Sequence, residues 1–422
     1  MARRKIAVIG SGVAGLTAAH VLKRVAEVTL YEADARVGGH ADTHEVALGE
    51  DSVLPIDTGF IVHNHRTYPT LLRLFAELGV ATQESDMSMS ISCAGCGLEY
   101  AGGRGLSGLL PSFRTVTSPR YLRMLAQVRR FHRLAHDVLC DHHDTRTLGE
   151  FVRDNAFTRY FEQHFVTPLV AAVWSTAPDQ AGDYPARYLF SFLQNHGMLQ
   201  VTGSPTWYTV VGGSARYVER AAKGLAAVHT STPVRALRRV LGGVEVRADD
   251  DSARRFDGAV IATHPHQALA MLDAPSPLER DLLGAIEYTV NPTQLHTDLS
   301  VLPSARRAQA SWNYGMDSCA VGPGAVQVSY NMNRLQRLDE LGARRTYVVT
   351  LNGSRRVDPA SVIANMMYEH PVYTTESVAA RTRLPELNDG VLAYAGAYHG
   401  WGFHEDGAKS GVDAAASLGV EW

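Results

Sequence analysis

Gly10, Gly12 and Gly15 stand at the spacing G-x-G-x-x-G, with Glu32 beyond a helix-length stretch and a second apolar run. This is the residue set that phosphate and ribose binding requires. Gly10 permits a tight turn, Gly12 lets backbone approach a pyrophosphate, and Gly15 lets a helix lie close against a strand. Val13 and Ala14 lie within the glycine turn that leads into the helix, whose N-terminus offers free N–H groups and the positive end of the dipole to phosphate. Glu32 lies about twenty residues past the first glycine, where a carboxylate accepts hydrogen bonds from an adenosine ribose. A second group able to do chemistry sits far along the chain: Tyr398, His399 and Trp401, with His63 as an outlying partner. An unperturbed imidazole titrates near neutral pH, so His399 is the candidate general base.

The elements that must position these residues follow from the apolar pattern. Lys5–Ile9 reads as a strand, Leu16–Leu22 as a helix and Glu27–Tyr31 as a second strand, the order of a dinucleotide-binding unit. Arg66–Val80 reads as a helix with Leu71, Leu72, Leu74, Phe75 and Leu78 inward, and Asp86–Tyr100 as a hairpin. A loop over Gly102–Ser118 leads into a largely helical insertion reaching Gln200. Within it, Arg120–Cys140 is amphipathic, with Leu122, Leu125, Val128, Phe131, Leu134, Val138 and Leu139 as its stripe and Arg120, Arg123, Arg129, Arg130 and Arg133 around the rest. Such a helix is either a solvated face or a peripheral contact with an anionic membrane. The runs Pro168–Thr176 and Tyr184–His196 either line an apolar pocket or fill a helix core. A helix over Ala215–Ala226, a strand over Val228–Thr232 and a hairpin over Leu237–Arg247 come next. Gln294–Val301, Ala310–Tyr314, Ala325–Asn331 and Thr346–Leu351 alternate as strands of an antiparallel sheet, and Val412–Leu418 closes the chain as a helix.

At 422 residues the chain is too long for one core and suits two interleaved domains. Net charge is −3, so no global field favours nucleic acid. Four cysteines and no leader-like stretch fit a reducing cytoplasm. Cys93 and Cys96 form a CxxC in the hairpin turn; with no second pair to complete a zinc site, they are expected to be incidental thiols and no metal is expected. No apolar run approaches the ~20 residues that span a bilayer, so the protein is expected to be soluble or at most peripheral to a membrane. The oligomeric state is left open.

Ala33, Arg36, Gly38 and Gly39, just after Glu32, resemble the FAD-binding signature of the flavin-containing amine oxidoreductase superfamily. Asp257–Pro265 resembles its D-x-V-I-x-A-T-P strand, with His264 inserted, and Gly396 with Glu405–Gly411 resembles its C-terminal ending. The resemblance implies a doubly wound, Rossmann-like FAD domain of the glutathione-reductase type 2 kind, interleaved with a substrate domain of antiparallel sheet plus helices. The expected division is 1–75, 205–290 and 388–422 for FAD, and 76–204 and 291–387 for substrate. It further implies that Arg36, Gly38 and Gly39 lie along the diphosphate and ribityl, Thr58, Gly59 and Phe60 pass the flavin ring, and Val234 holds the adenine. Thr263 and Gly396 end strands at the cofactor. Gly402 approaches the ring, Trp401 or Phe403 packs over it, and Gly407 meets the flavin N1–C2=O edge. Asp57–Val62 and Tyr398–His404 resemble a bacterial amine-oxidase-like group, some members of which are tied to modified fatty acids, which implies an apolar, acyl or lipid-like substrate. Amine oxidase or carotenoid-type desaturase activity is the alternative, and a flavin-free lipid escort protein is the alternative of another class. Two departures stand out: Ala397 occupies the superfamily's glutamate position, and no lysine lies in the substrate region. With no cysteine near the C-terminus for attachment, the FAD is expected to be non-covalent.

Overall fold

A computed structural model describes residues 3–49, 52–175, 177–200, 203–320 and 326–422, so Thr176 and Ala325 of the expected elements lie outside it. Strand β1 (Arg4–Ile9) buries Ile6 through Ile9 and stops at Gly10, whose φ of 96° turns the chain into α1 (Val13–Leu22). All ten residues of α1 are buried, which its run of Ala, Val and Leu permits. Strand β2 (Ala26–Tyr31) follows, then the ribbon β3 (Thr43–Ala47) and β4 (Val53–Asp57). Helix α2 (Pro69–Leu78) is shorter than the pattern predicts, because Pro69 starts it and Gly79, at φ 66°, ends it. The hairpin β5 (Met89–Cys93) and β6 (Leu98–Gly102) leads into two short helices, Gly105–Leu109 and Phe113–Val116, where a loop is expected.

Helix α3 (Pro119–Cys140) is capped by Ser118; α4 (Thr167–Trp174) and α5 (Ala186–Asn195) follow it, and Phe131 of α3 meets Phe190 of α5 at 5.4 Å. Its buried face is Tyr121, Met124, Phe131, Ala135 and Val138. The expected stripe is therefore turned: Leu122 is exposed, while Leu125, Val128, Leu134 and Leu139 are half-buried. Helix α6 (Ala215–Ala222) ends early because Lys223 leaves the helical region. Then come β7 (Ala227–His229), β8 (Gly258–Ile261), β9 (Tyr288–His296), β10 (Trp312–Met316), β11 (Val328–Asn331) and β12 (Val348–Leu351). The chain finishes with β13 (Val362–Pro371), α7 (Thr375–Arg383), β14 (Leu392–Tyr394) and α8 (His404–Ser417).

Two sheets organise these elements. One is parallel throughout, in the order β7-β2-β1-β8-β14. The other runs β13-β9-β12-β11-β10-β5-β6 and is antiparallel except where β10 lies parallel to β5. Helices α1 and α8 cover one face of the parallel sheet and press on each other through glycine. A Cβ on Gly411 would lie 2.3 Å from Ala14 O, and one on Gly407 would lie 2.6 Å from Val13 Cγ1. Among the described residues, no helix is long and apolar enough to cross a membrane.

Candidate functional site

Gly10, Glu32, Thr263 and Gly396 all lie just beyond the carboxyl ends of parallel strands, where an open α/β sheet offers its binding crevice. At Gly10 a Cβ would meet Ala262 O at 2.7 Å, and at Gly15 one would meet Gly10 O at 2.0 Å, so the turn and the helix pack as closely as backbone allows. Gly12 differs: nothing stands within 4 Å of its would-be Cβ, and no side chain caps α1 there. The first-turn N–H groups of α1 thus have no side-chain cap at Gly12. Gly39 lies beside Gly12, at 3.2 Å from its would-be Cβ to Gly12 Cα. Ser11 ties the cradle together, accepting from Gly38 N–H and donating to Glu32 Oε2. The backbone N–H of Asp34 donates to the other Glu32 oxygen, so Ala33 crosses a tight turn over the acid. Arg36 bonds Gly39 O at 2.8 Å and pairs with Asp42 at 3.1 Å. Thr232 N–H bonds Glu32 O, which brings Val234 beyond it alongside the same edge.

Strand β13, which the sequence reading passes over, runs along this crevice. Tyr368 bonds Thr58 Oγ1 and Asp42, His370 faces the His40 ring at 5.2 Å, and Glu369 accepts from His264 at 2.7 Å. Past its end, Tyr373 lies against Gly402, whose Cβ would sit 2.9 Å from the phenol oxygen. Alternation of Met366, Tyr368 and His370 with Asn365, Met367 and Glu369 was the available signal. The Asp57–Phe60 segment is held from below. Asp57 accepts from Thr43, Ser214 and Gln336, and burial raises its pKa to about 6 against those bonds. Gly59 serves a backbone contact, since its Cβ would lie 2.2 Å from His40 O. Phe60 stacks on His404 at 3.7 Å.

The four candidate chemical residues do not form one cluster. Trp401 joins Phe192 and His196, its carbonyl accepts from Trp174 Nε1 at 2.9 Å, and Phe403 stacks on Phe192 at 5.0 Å. Tyr398 instead folds back over Gly396 into the core beside Leu384 and Leu392. His63 is fully buried among Phe60, Tyr68, Phe75 and Tyr208. His399 does not titrate near neutral pH: burial, aided by Lys409 and Arg381, pushes it down to about 4. Burial sends His63 to about 4 and His404 to about 3 for the same reason. These three histidines are neutral imidazoles at pH 7, so His399 is unprotonated there and a weaker base than a free imidazole. Gly407 faces Val13 rather than open space, so it serves helix packing.

His40 and Tyr373, which the sequence does not single out, belong to this region. Their Nε2 and OH are buried without a hydrogen-bond partner, as are Tyr398 OH, His399 Nε2 and Trp401 Nε1 of the expected residues. Asp406 is raised to about 7 by burial, although its carboxylate accepts from Phe403 N–H at 2.9 Å. Glu405 accepts from the N–H groups of Thr70 and Leu71 at 2.9 Å each. Arg381 lies over the Tyr188 ring, 4.9 Å from its centroid, and has no ion pair among the described residues. An uncapped helix start, glycines pressed to backbone and Glu32 at the end of β2 fit a long cofactor carrying a pyrophosphate.

The profile of the flavin containing amine oxidoreductase family matches residues 13–297. No curated protein matches the chain by sequence. Solved structures match over nearly the whole chain. Cyclohexylamine oxidase from Brevibacterium oxydans is 16% identical, with a TM-score of 0.68 over 99% of each chain. A putrescine oxidase bound to putrescine is 15% identical, with a TM-score of 0.67 over 99% of each chain. A CLA-producing fatty acid isomerase from P. acnes is 16% identical, with a TM-score of 0.63 over 97% of each chain. At such identities the structures speak for the fold, and the profile speaks for the family. The chain belongs to the flavin containing amine oxidoreductases and is an FAD-dependent oxidoreductase.

Proposed function

We propose that the substrate is an elongated apolar compound with a carboxylate head, of the fatty-acyl kind. The observation that carries this is the unpaired Arg381 guanidinium at the aromatic wall of Trp174, Tyr188, Phe192, Tyr373 and Trp401. An ammonium substrate would need a free carboxylate there. Asp406 and Glu405 are the acids at hand, and both are spent on backbone N–H groups. A guanidinium offers a carboxylate paired donors, and the rings offer an alkyl chain a dry surface. The likeness to a fatty acid isomerase agrees with this reading.

For the cofactor, the uncapped N–H groups of Val13 and Ala14 above Gly12 would hold the diphosphate, with Arg36 and the Gly38-Gly39 pair beside it. Glu32 would take the ribose, and the Val234 backbone the adenine. Thr58, Gly59, Phe60, Thr263, Gly396 and Gly402 would border the ring system. With no cysteine after Cys319, the FAD is non-covalent. Bound flavin supplies the acceptor for a hydride leaving a substrate C–H bond. The protein's own part is to orient and to exclude water. Arg381 fixes the head, the aromatic wall dries the chain, and neutral His399 and Tyr373 keep unused polar atoms at the wall.

Substrate access from a membrane surface belongs to the same reading. Phe113 is 82% and Leu106 77% exposed, beside the exposed Leu122, Arg120 and Arg123 at the start of α3. Apolar side chains amid arginines suit an anionic lipid face. The test is anaerobic bleaching of the flavin absorption by unsaturated or cyclopropane fatty acids, set against primary amines. Bleaching by the acids supports the reading; bleaching by amines alone overturns it.

A further inference from the structure

The β5–β6 hairpin turns through Cys93-Ala94-Gly95-Cys96-Gly97, and two distant residues meet it. Cys319, in the loop after β10, brings its Sγ to 3.7 Å from Cys93 Sγ. His164, in a π-helical turn over Glu162–Val166, brings Nε2 to 3.5 Å from Cys96 Sγ. All four ligand atoms lie within 4.8 Å of one another. Spacing alone expects no further ligand for this CxxC; the fold supplies both from sequence positions that no motif links.

The geometry points to a closed zinc site of three cysteines and one histidine. A tetrahedral zinc with bonds of about 2.3 Å to sulfur and 2.0–2.1 Å to nitrogen has S···S edges of about 3.8 Å and S···N edges of about 3.6 Å. The two observed separations match those edges. A disulfide does not fit, since its sulfurs sit about 2.0 Å apart. His164 is oriented for ligation: Nδ1–H faces Tyr160 O at 3.1 Å, which leaves the Nε2 lone pair toward the sulfurs, and the ring stacks on Tyr160 at 4.1 Å. The turn is shaped for it as well. Gly97, at φ 67°, donates to Cys93 O, and a Cβ on Gly95 would lie 2.9 Å from Ser318 Cα, so only glycine lets the Cys319 loop close in. Binding releases three thiol protons to solvent and leaves a net charge of −1 on the centre. Arg114, bonded to Cys96 O at 2.8 Å, offsets that charge.

Four protein ligands leave no open position, so the site is a clamp rather than a catalyst. It fastens the hairpin and the loop after β10 to the helical insertion.

The test uses the flavin-loaded protein, purified under reducing conditions without chelator or metal-affinity tag. Elemental analysis should find about one zinc per chain, and X-ray absorption three sulfurs at about 2.3 Å with one nitrogen shell. Cys319→Ser should lower zinc content at least about fivefold. Because that variant risks misfolding, His164→Cys is the second arm: it should keep zinc and flavin and read as four sulfurs. Iron in place of zinc overturns the proposal. So does protein that carries full flavin, stays zinc-free after incubation with equimolar zinc, or shows a Cys93–Cys319 disulfide.

Discussion

Gly411→Ala is the most direct test of how α8 and α1 share one space. The new methyl would lie 2.3 Å from Ala14 O and 3.0 Å from Ala18 N. A carbon and a carbonyl oxygen settle at about 3.3 Å or more, so α8 must retreat by roughly 1 Å. Both contact atoms are backbone of a helix buried on every side, which has nowhere to give. Overpacking of this kind costs about 1–3 kcal/mol. The better helix propensity of alanine returns about 1 kcal/mol, leaving a net loss of about 0–2 kcal/mol, towards the upper end because the contact atoms are backbone. The shift reaches Ala14 at the start of α1, so flavin affinity should fall on the order of tenfold, about 1.4 kcal/mol. The matched control is Gly284→Ala, whose methyl meets nothing within 4 Å. It should gain about 0.4–1 kcal/mol. The assay is thermal unfolding followed by flavin fluorescence, with flavin dissociation measured in parallel. If Gly411→Ala unfolds and holds flavin like its parent while Gly284→Ala behaves as expected, the close-packing argument is refuted.

Arg381→Ala should raise the KM for a fatty-acid substrate about 10- to 100-fold, the worth of a charge-assisted hydrogen bond, with flavin content unchanged; equal KM values would remove Arg381 from the site. Acid should destabilise the fold through His63, His196 and His296, which burial holds at about 4. The unfolded chain takes those protons near pH 6.5, so stability is full above that value and declines towards pH 4 by about 1.4 kcal/mol per pH unit for each histidine. Urea midpoints at pH 7.5 and 5 measure this, and equal midpoints contradict it. Phe113→Ser combined with Arg120→Glu should weaken sedimentation with anionic vesicles severalfold while leaving neutral vesicles unchanged; no loss would assign that surface to solvent.

The cofactor half of this protein was legible because its constraints are local. Gly10, Gly12, Gly15 and Glu32 follow one another within one strand-helix-strand unit, and each is needed for a steric or polar reason that spacing reveals. Strand β13 was not legible, since its half-exposed edge alternates weakly and its partners Asp42, Thr58 and His264 are remote in sequence. The α3 stripe was misread by a small rotation: Tyr121 and Met124 fit the buried face as well as Leu122 and Leu125 fit a helical repeat, and only the packing partner decides. His399 was read at its solution pKa because burial cannot be seen in a one-dimensional pattern. The Cys93, Cys96, His164 and Cys319 grouping is beyond sequence reach for a similar reason, since β10 must first lie beside β5.

The order β7-β2-β1-β8-β14 has a consequence for synthesis. β1 and α1 are made first, but β14 and α8, against which they complete their packing, begin only at Leu392 and His404. At about 5–20 residues per second, roughly 20–80 s separate the two ends during translation. For that interval α1 carries an uncovered glycine-facing surface and β8 an unpaired edge. The nascent chain therefore holds its glycine turn on a helix and sheet still missing their last neighbours, and the cradle is complete only when α8, the final helix, docks.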